Sequence, residues 1–157
     1  MPLSQIRPTH AEYIEHVRLM RAWLHPLECW LDDSTHFQTA LIDADLADAG
    51  IHPEAEQTGM RMRRWPTEAH ASYRWGARYV IEGSRLGAAV LYRRLRYALR
   101  PYQLHYLHGG DAAFPNRWPE FLRDLSDAVQ TPAEIAEACQ GACESFDALL
   151  AAVEVRV

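Results

Sequence analysis

The sequence predicts an all-α fold. Apolar residues recur at steps of three and four along several segments, and two Thr-x-x-Glu capping boxes mark helix starts. No segment alternates apolar with polar residues as a half-buried strand does, and β-branched residues, which favour sheets, are few.

The first box is Thr9 with Glu12, and behind it Tyr13, Val17, Met20, Leu24, Leu27 and Leu31 form one apolar stripe. Pro26 lies inside this helix, where it removes the bond to the Ala22 carbonyl, so a kink is expected. Ser34 is placed to cap a second helix through Phe37, Leu41 and Leu46, which stops at Gly50. Residues 51–66, with Pro53, Gly59 and Pro66, read as a loop. The longest helix is expected from near Thr67 to about Leu99, because Arg100 precedes Pro101 and helix becomes unfavourable there. From Pro101 to Pro115, across Gly109-Gly110, a loop is expected, followed by a helix through Trp118, Phe121, Leu122, Leu125 and Val129. Thr131-Pro132-Ala133-Glu134 joins the second capping box to a proline at the first helical position. Its helix carries the stripe Ile135, Cys139, Ala142, Phe146, Leu149 and Val153.

A chain of 157 residues fits a single domain, residues 1–157. Apolar residues at 48% and charged ones at 24% exclude a disordered or collagen-like chain. There is neither a membrane-spanning apolar run nor a signal-like apolar region, so a cytoplasmic protein without membrane contact is expected. Cys29, Cys139 and Cys143 are odd in number and contain no CxxC pair, which suggests reduced core residues and no disulfide framework or zinc site. Charge is segregated: residues 61–100 hold ten Arg and two acids, whereas residues 1–60 hold three Arg and ten acids. The basic stretch, above all Arg93, Arg94, Arg96 and Arg100, is expected to pair with acids on neighbouring helices; a site for an anionic ligand is the alternative. The net charge of −5 and the lack of a basic tail argue against nucleic acid.

Gly76, Gly83 and Gly87 are spaced by seven and four, which places them within about 20° of one line on a helix. Each costs about 0.8–1 kcal/mol relative to alanine in a helix interior, so something must compensate. Two bodies fit such a bare stripe: a closely packed neighbouring helix, or a flat ligand lying on the backbone. His16 and His25 are about 180° apart on their helix and cannot share a metal. His105 and His108 lack a nearby acid other than Asp111, so no metal is expected there. No GxSxG elbow, phosphate-cradling loop, paired glycosidase carboxylates or di-iron Glu/His pattern is present, which weakens hydrolase and di-iron readings.

The run Tyr79-Val80-Ile81-Glu82-Gly83-Ser84-Arg85-Leu86-Gly87 resembles the distal-helix motif of the bacterial biliverdin-producing heme oxygenases, the type associated with bacteriophytochromes. Thr9 to Leu31 with Pro26-Leu27-Glu28, Asp45 to Gly50, His108-Gly109-Gly110 with Asn116-Arg117-Trp118 and Phe121, and Ala142 to Leu149 with Phe146 are similar to further helices of that family. The resemblance implies a heme-oxygenase-like multihelical bundle with a long central distal helix, on which Gly83, Ser84 and Gly87 face heme, as ligand or substrate. Ala88 stands where a second adjacent glycine is common. The helix bearing the family's proximal His precedes the one that begins here at Thr9, and only eight residues stand before that point. The expectation is therefore a shortened member without that helix, in which His10 does not replace the ligand and no catalytic residue is assigned. Gln140 and Glu144 lie where bases that meet heme propionates are usual.

Two functions follow from the resemblance. One is a degenerate member that binds a tetrapyrrole, another flat ligand or a protein partner. The other is an active oxidoreductase that opens heme with dioxygen to biliverdin, iron and carbon monoxide. Without the proximal helix, apolar surface is expected on the glycine side, lined in part by the first and last helices and covered in a homodimer first, or else by a protein partner, a bound flat ligand or inward collapse of the first helix.

Overall fold

The computed structural model describes residues 8–31, 37–52 and 64–154, with the backbone alone of 37 and 110–116. Among the described residues five helices follow in order: α1 (His10–Leu31), α2 (Phe37–Asp48), α3 (Ala71–Leu95), α4 (His105–Ala128) and α5 (Pro132–Glu154). The described residues contain no strand, so the fold is all-α. None of these helices is long and apolar enough to cross a membrane.

Both capping boxes form. The Glu12 carboxylate accepts from the Thr9 N–H at 2.6 Å, and the Thr9 hydroxyl oxygen accepts from the Glu12 N–H at 3.3 Å. Glu134 and Thr131 repeat the arrangement at 2.9 and 3.3 Å, with Pro132 opening α5. α1 continues through Pro26 to Leu31 and buries Tyr13, Val17, Leu24 and Leu27. α2 stops at Gly50, whose φ of 73° is the left-handed conformation that a side chain resists. There the Gly50 N–H donates to Ala47 and the Ile51 N–H to Leu46, which satisfies the last carbonyls. The expected cap at Ser34, most of the 51–66 loop and Asp111 lie outside the described residues or side chains.

The central helix is shorter at both ends than expected. His70 caps it, its Nδ1 accepting from the Ser72 N–H at 3.3 Å, and residues 96–101 form turns.

The larger correction concerns residues 101–115, which are not one loop: α4 begins at His105 and runs through Gly109-Gly110 and Pro115. Leu104 precedes it at φ 53° and offers no side-chain cap. Asp45 of α2 supplies the cap instead, accepting from the backbone N–H groups of His105 at 2.8 Å and Tyr106 at 2.9 Å and from the Tyr13 hydroxyl. A helix start capped from sixty residues away leaves no local signal. Asp45→Ala is expected to destabilise the fold by about 2–3 kcal/mol, since charged acceptors of this kind are worth more than neutral ones. Urea unfolding measures it.

α3 is the centre of the arrangement, with α4 along one side and α5 along another, while α1 packs on α2 and α5. One cluster of buried residues, among them Leu24, Leu46, Ala77, Leu95 and Leu107, joins α1 to α4.

Two expectations about burial are overturned. Cys29, Cys139 and Cys143 are all exposed, so none is a core residue. The α5 stripe is not what is buried: the buried residues of α5 are Gly141, Ser145 and Ala152, whereas Ala142, Leu149 and Val153 of the stripe are half-buried and Ile135 and Phe146 remain about half exposed. A neighbour covers only the part of an apolar stripe that it touches, and α3 and α1 touch one flank of α5.

Candidate functional site

The glycine stripe of α3 divides into two parts. A Cβ on Gly76 would stand 1.8 Å from the Ala138 carbonyl oxygen, and one on Gly141 would stand 2.1 Å from the Tyr73 carbonyl oxygen. The two glycines face each other across the α3–α5 contact and let the backbones touch, so at Gly76 the compensating body is a helix. Around this contact the Tyr73 hydroxyl donates to Glu144 at 2.8 Å, and His70 lies 3.7 Å from Glu137.

At Gly83 and Gly87 no crossing helix approaches among the described residues. A Cβ at Gly83 would make an ordinary contact with Trp118 Cη2 at 3.9 Å, and one at Gly87 would meet nothing within 4 Å among the described residues. The helical repeat puts Tyr79, Leu86 and Val90 on the same side, and all three are exposed, Val90 by 64%. This arc lies between the residues under α5 (Tyr73, Gly76, Val80) and those turned to α4 (Trp75, Glu82). On α5, Ile135, Phe146 and Leu150 fall on the flank opposite Glu137 and Glu144, and Leu150 is 58% exposed. The structure thus has an uncovered apolar face on α3 and α5. Most apolar residues of α1, from Tyr13 to Leu31, are buried in the core, and α1 packs chiefly on α2 and α5 and not along α3, so it does not line this face as expected.

Ser84 is turned away from the two glycines. Its hydroxyl donates to the Ile81 carbonyl at 2.6 Å and lies on the side of Tyr106, whose phenol is pushed up by burial while Ser84 opposes the shift. Beside it is a buried polar group that the sequence did not reveal. Glu82 accepts from Arg117 Nε and Nη2, both at 2.9 Å, and Arg85 Nε lies 3.7 Å from the same carboxylate. Burial draws the Arg85 pKa down and Glu82 opposes it. Glu28 of α1 accepts from the hydroxyl and, at 3.3 Å, from the N–H of Thr39.

The histidines are dispersed. His10 stacks on Tyr102 with ring centres 3.4 Å apart, His16 is buried near Tyr106, and His25 lies 3.7 Å from the Cys29 sulfur. His105 contacts Asp48 at 3.1 Å, and His108 lies against Tyr92. Among the described residues no group of three or more His, Cys, Asp or Glu is placed to hold a metal. Gln140 donates to Glu144 at 3.0 Å. The arginines expected to pair at the end of α3 include Arg96 and Arg100, which instead lie over the ring of Tyr97 at 4.6 and 5.0 Å.

Comparison with known proteins yields one partial likeness. A curated protein of Xanthomonas campestris pv. campestris (strain 8004) named heme oxygenase is 39% identical over 83 residues, 52% of this chain and 50% of that protein. The chain spans about half the length of the curated relative it matches. No family model matches it, and no solved structure matches it.

Proposed function

We propose that this chain is a heme-oxygenase-like protein and that the uncovered face of α3 at Gly83 and Gly87 receives heme or a related flat tetrapyrrole. The observation that carries this is the pair of helix-interior glycines that no helix crosses among the described residues: each costs helix stability, and an alanine at either position would clash with none of the described atoms. A body that is flat, apolar and external to the chain accounts for both. The exposed side chains of Tyr79, Leu86, Val90, Phe146 and Leu150 would cover its faces, and the partial identity to a heme oxygenase supports the same ligand class.

Binding without efficient turnover is the finer reading. The three histidines of α1 stand in the core, on Tyr102 and beside Cys29, none of them on the glycine arc of α3. Heme cleavage to biliverdin is the other reading, and in the ligand-free chain a homodimer across this face is the occupant we expect in place of the ligand, which sedimentation tests.

Hemin titrated into the protein should produce a sharpened, shifted Soret band. Gly87→Leu should weaken binding at least tenfold while leaving the unfolding midpoint unchanged or higher, because the new side chain enters open space. Equal affinity in the folded variant would sink the proposal. Reductant added to the complex separates the two readings: biliverdin absorption favours turnover, and a persistent Soret band favours binding.

A further inference from the structure

We propose that Cys139 and Cys143 of α5 form a two-thiolate site for one soft monovalent metal ion, of the cuprous class. Both cysteines are free and exposed, and both belong to α5. At about 100° per residue each stands about 160° from Gly141, the residue pressed against the Tyr73 backbone, so the pair faces away from α3. Residues four apart are neighbours on a helix surface, and these two side chains therefore share one line of the outer face.

This spacing disfavours a disulfide and suits a bridging ion. Cβ atoms one helical turn apart lie about 5–6 Å from each other, whereas a disulfide needs about 3.5–4.5 Å. Closing an S–S bond would distort the helix. An ion between the sulfurs takes up the extra length, because two metal–sulfur bonds of about 2.3 Å replace one S–S bond of about 2.05 Å.

The number and kind of donors select the ion. Zinc takes four ligands in its structural sites, and among the described residues no third His, Cys, Asp or Glu joins these two in a group that could hold a metal. Thiolates are soft ligands, and a cuprous ion is satisfied by two of them. One turn away, Ile135, Ala136, Ala142 and Phe146 bring no donor, while Gln140 and Asp147 bring only hard oxygen and amide groups. On binding, two S–H bonds break and two S–Cu bonds form; two protons leave and the copper stays cuprous. The helix holds the second thiolate beside the first, so the pair should bind about 10²–10⁴ times more tightly than one thiol.

Anaerobic transfer of copper from the coloured cuprous bicinchoninate complex to the full chain, with no hemin added, tests the site. The wild-type chain should withdraw one copper, and a hundredfold excess of Zn²⁺ should leave the transfer unchanged. Cys139→Ser and Cys143→Ser should each weaken uptake at least a hundredfold. Cys29→Ser should not, because the neighbour of that thiol is the His25 imidazole, a weaker ligand for a soft ion than a second thiolate. All three side chains are exposed, so the thermal midpoints should match the wild type's. Uptake as tight as the wild type's in either α5 variant overturns the proposal, as does loss of uptake in Cys29→Ser. Sedimentation that shows copper joining chains otherwise apart also overturns it, since the ion would then lie between copies, and displacement of the copper by zinc overturns the choice of ion.

Discussion

Gly76→Ala is expected to destabilise the protein by about 3–5 kcal/mol, a large share of the roughly 5–15 kcal/mol by which a domain of this size is stable. The added methyl would stand 1.8 Å from a backbone carbonyl oxygen and 2.8 Å from the Ala142 nitrogen, and backbone atoms within a helix cannot step aside as a side-chain tip can. The remedy is separation of α3 from α5, which also draws the Tyr73–Glu144 hydrogen bond apart. Gly141→Ala meets the Tyr73 backbone in the same way and should cost a similar amount. Alanine at Gly83 or Gly87 should have the opposite sign and raise stability by about 0.5–1 kcal/mol, since it gains helix propensity without a clash. Urea unfolding of the four variants checks this. Equal effects at Gly76 and Gly87 would show that α5 does not cross α3 where we describe it.

Acid should weaken the fold through His16. Burial holds this imidazole at about 4, well below its ordinary 6.5. The unfolded chain therefore takes up a proton near pH 6.5 that the folded chain refuses until about pH 4. The contribution is fully present above pH 6.5 and is lost as pH falls towards 4, a total of about 3 kcal/mol at 1.36 kcal/mol per unit. Asp45 works against this at the lower end, because burial raises its pKa and its protonation begins earlier in the folded state. The comparison that isolates His16 is His16→Phe, which should flatten the stability profile between pH 6.5 and 4. A profile as steep as the wild type's would place the acid sensitivity elsewhere.

The parts of the fold legible in the sequence are those whose causes are local. Thr9 with Glu12, Thr131 with Glu134, and Gly50 each satisfy backbone groups within five residues, so the spacing alone locates them. Causes that lie far along the chain left no trace. The start of α4 depends on Asp45, and the tie between α3 and α4 depends on Glu82 and Arg117, thirty-five residues apart. The glycine stripe was visible, yet its division was not: periodicity shows that three glycines share a face and says nothing about where a crossing helix leaves it. Gly141 was the available clue, a glycine inside a well-capped helix at the right distance to oppose Gly76. The resemblance sets Ser84 beside Gly83 and Gly87, while the helical repeat turns it toward Tyr106.

The carboxylate of Asp45 also sets an order of events. The first amides of α4 find their acceptor on another helix, so that turn has no hydrogen-bonded partner until α2 has docked and Tyr13 of α1 has closed over the same group. Amide exchange at His105 and Tyr106 should then follow the opening of α2 and not the fraying of α4, so that these two protons keep time for the assembly of three helices.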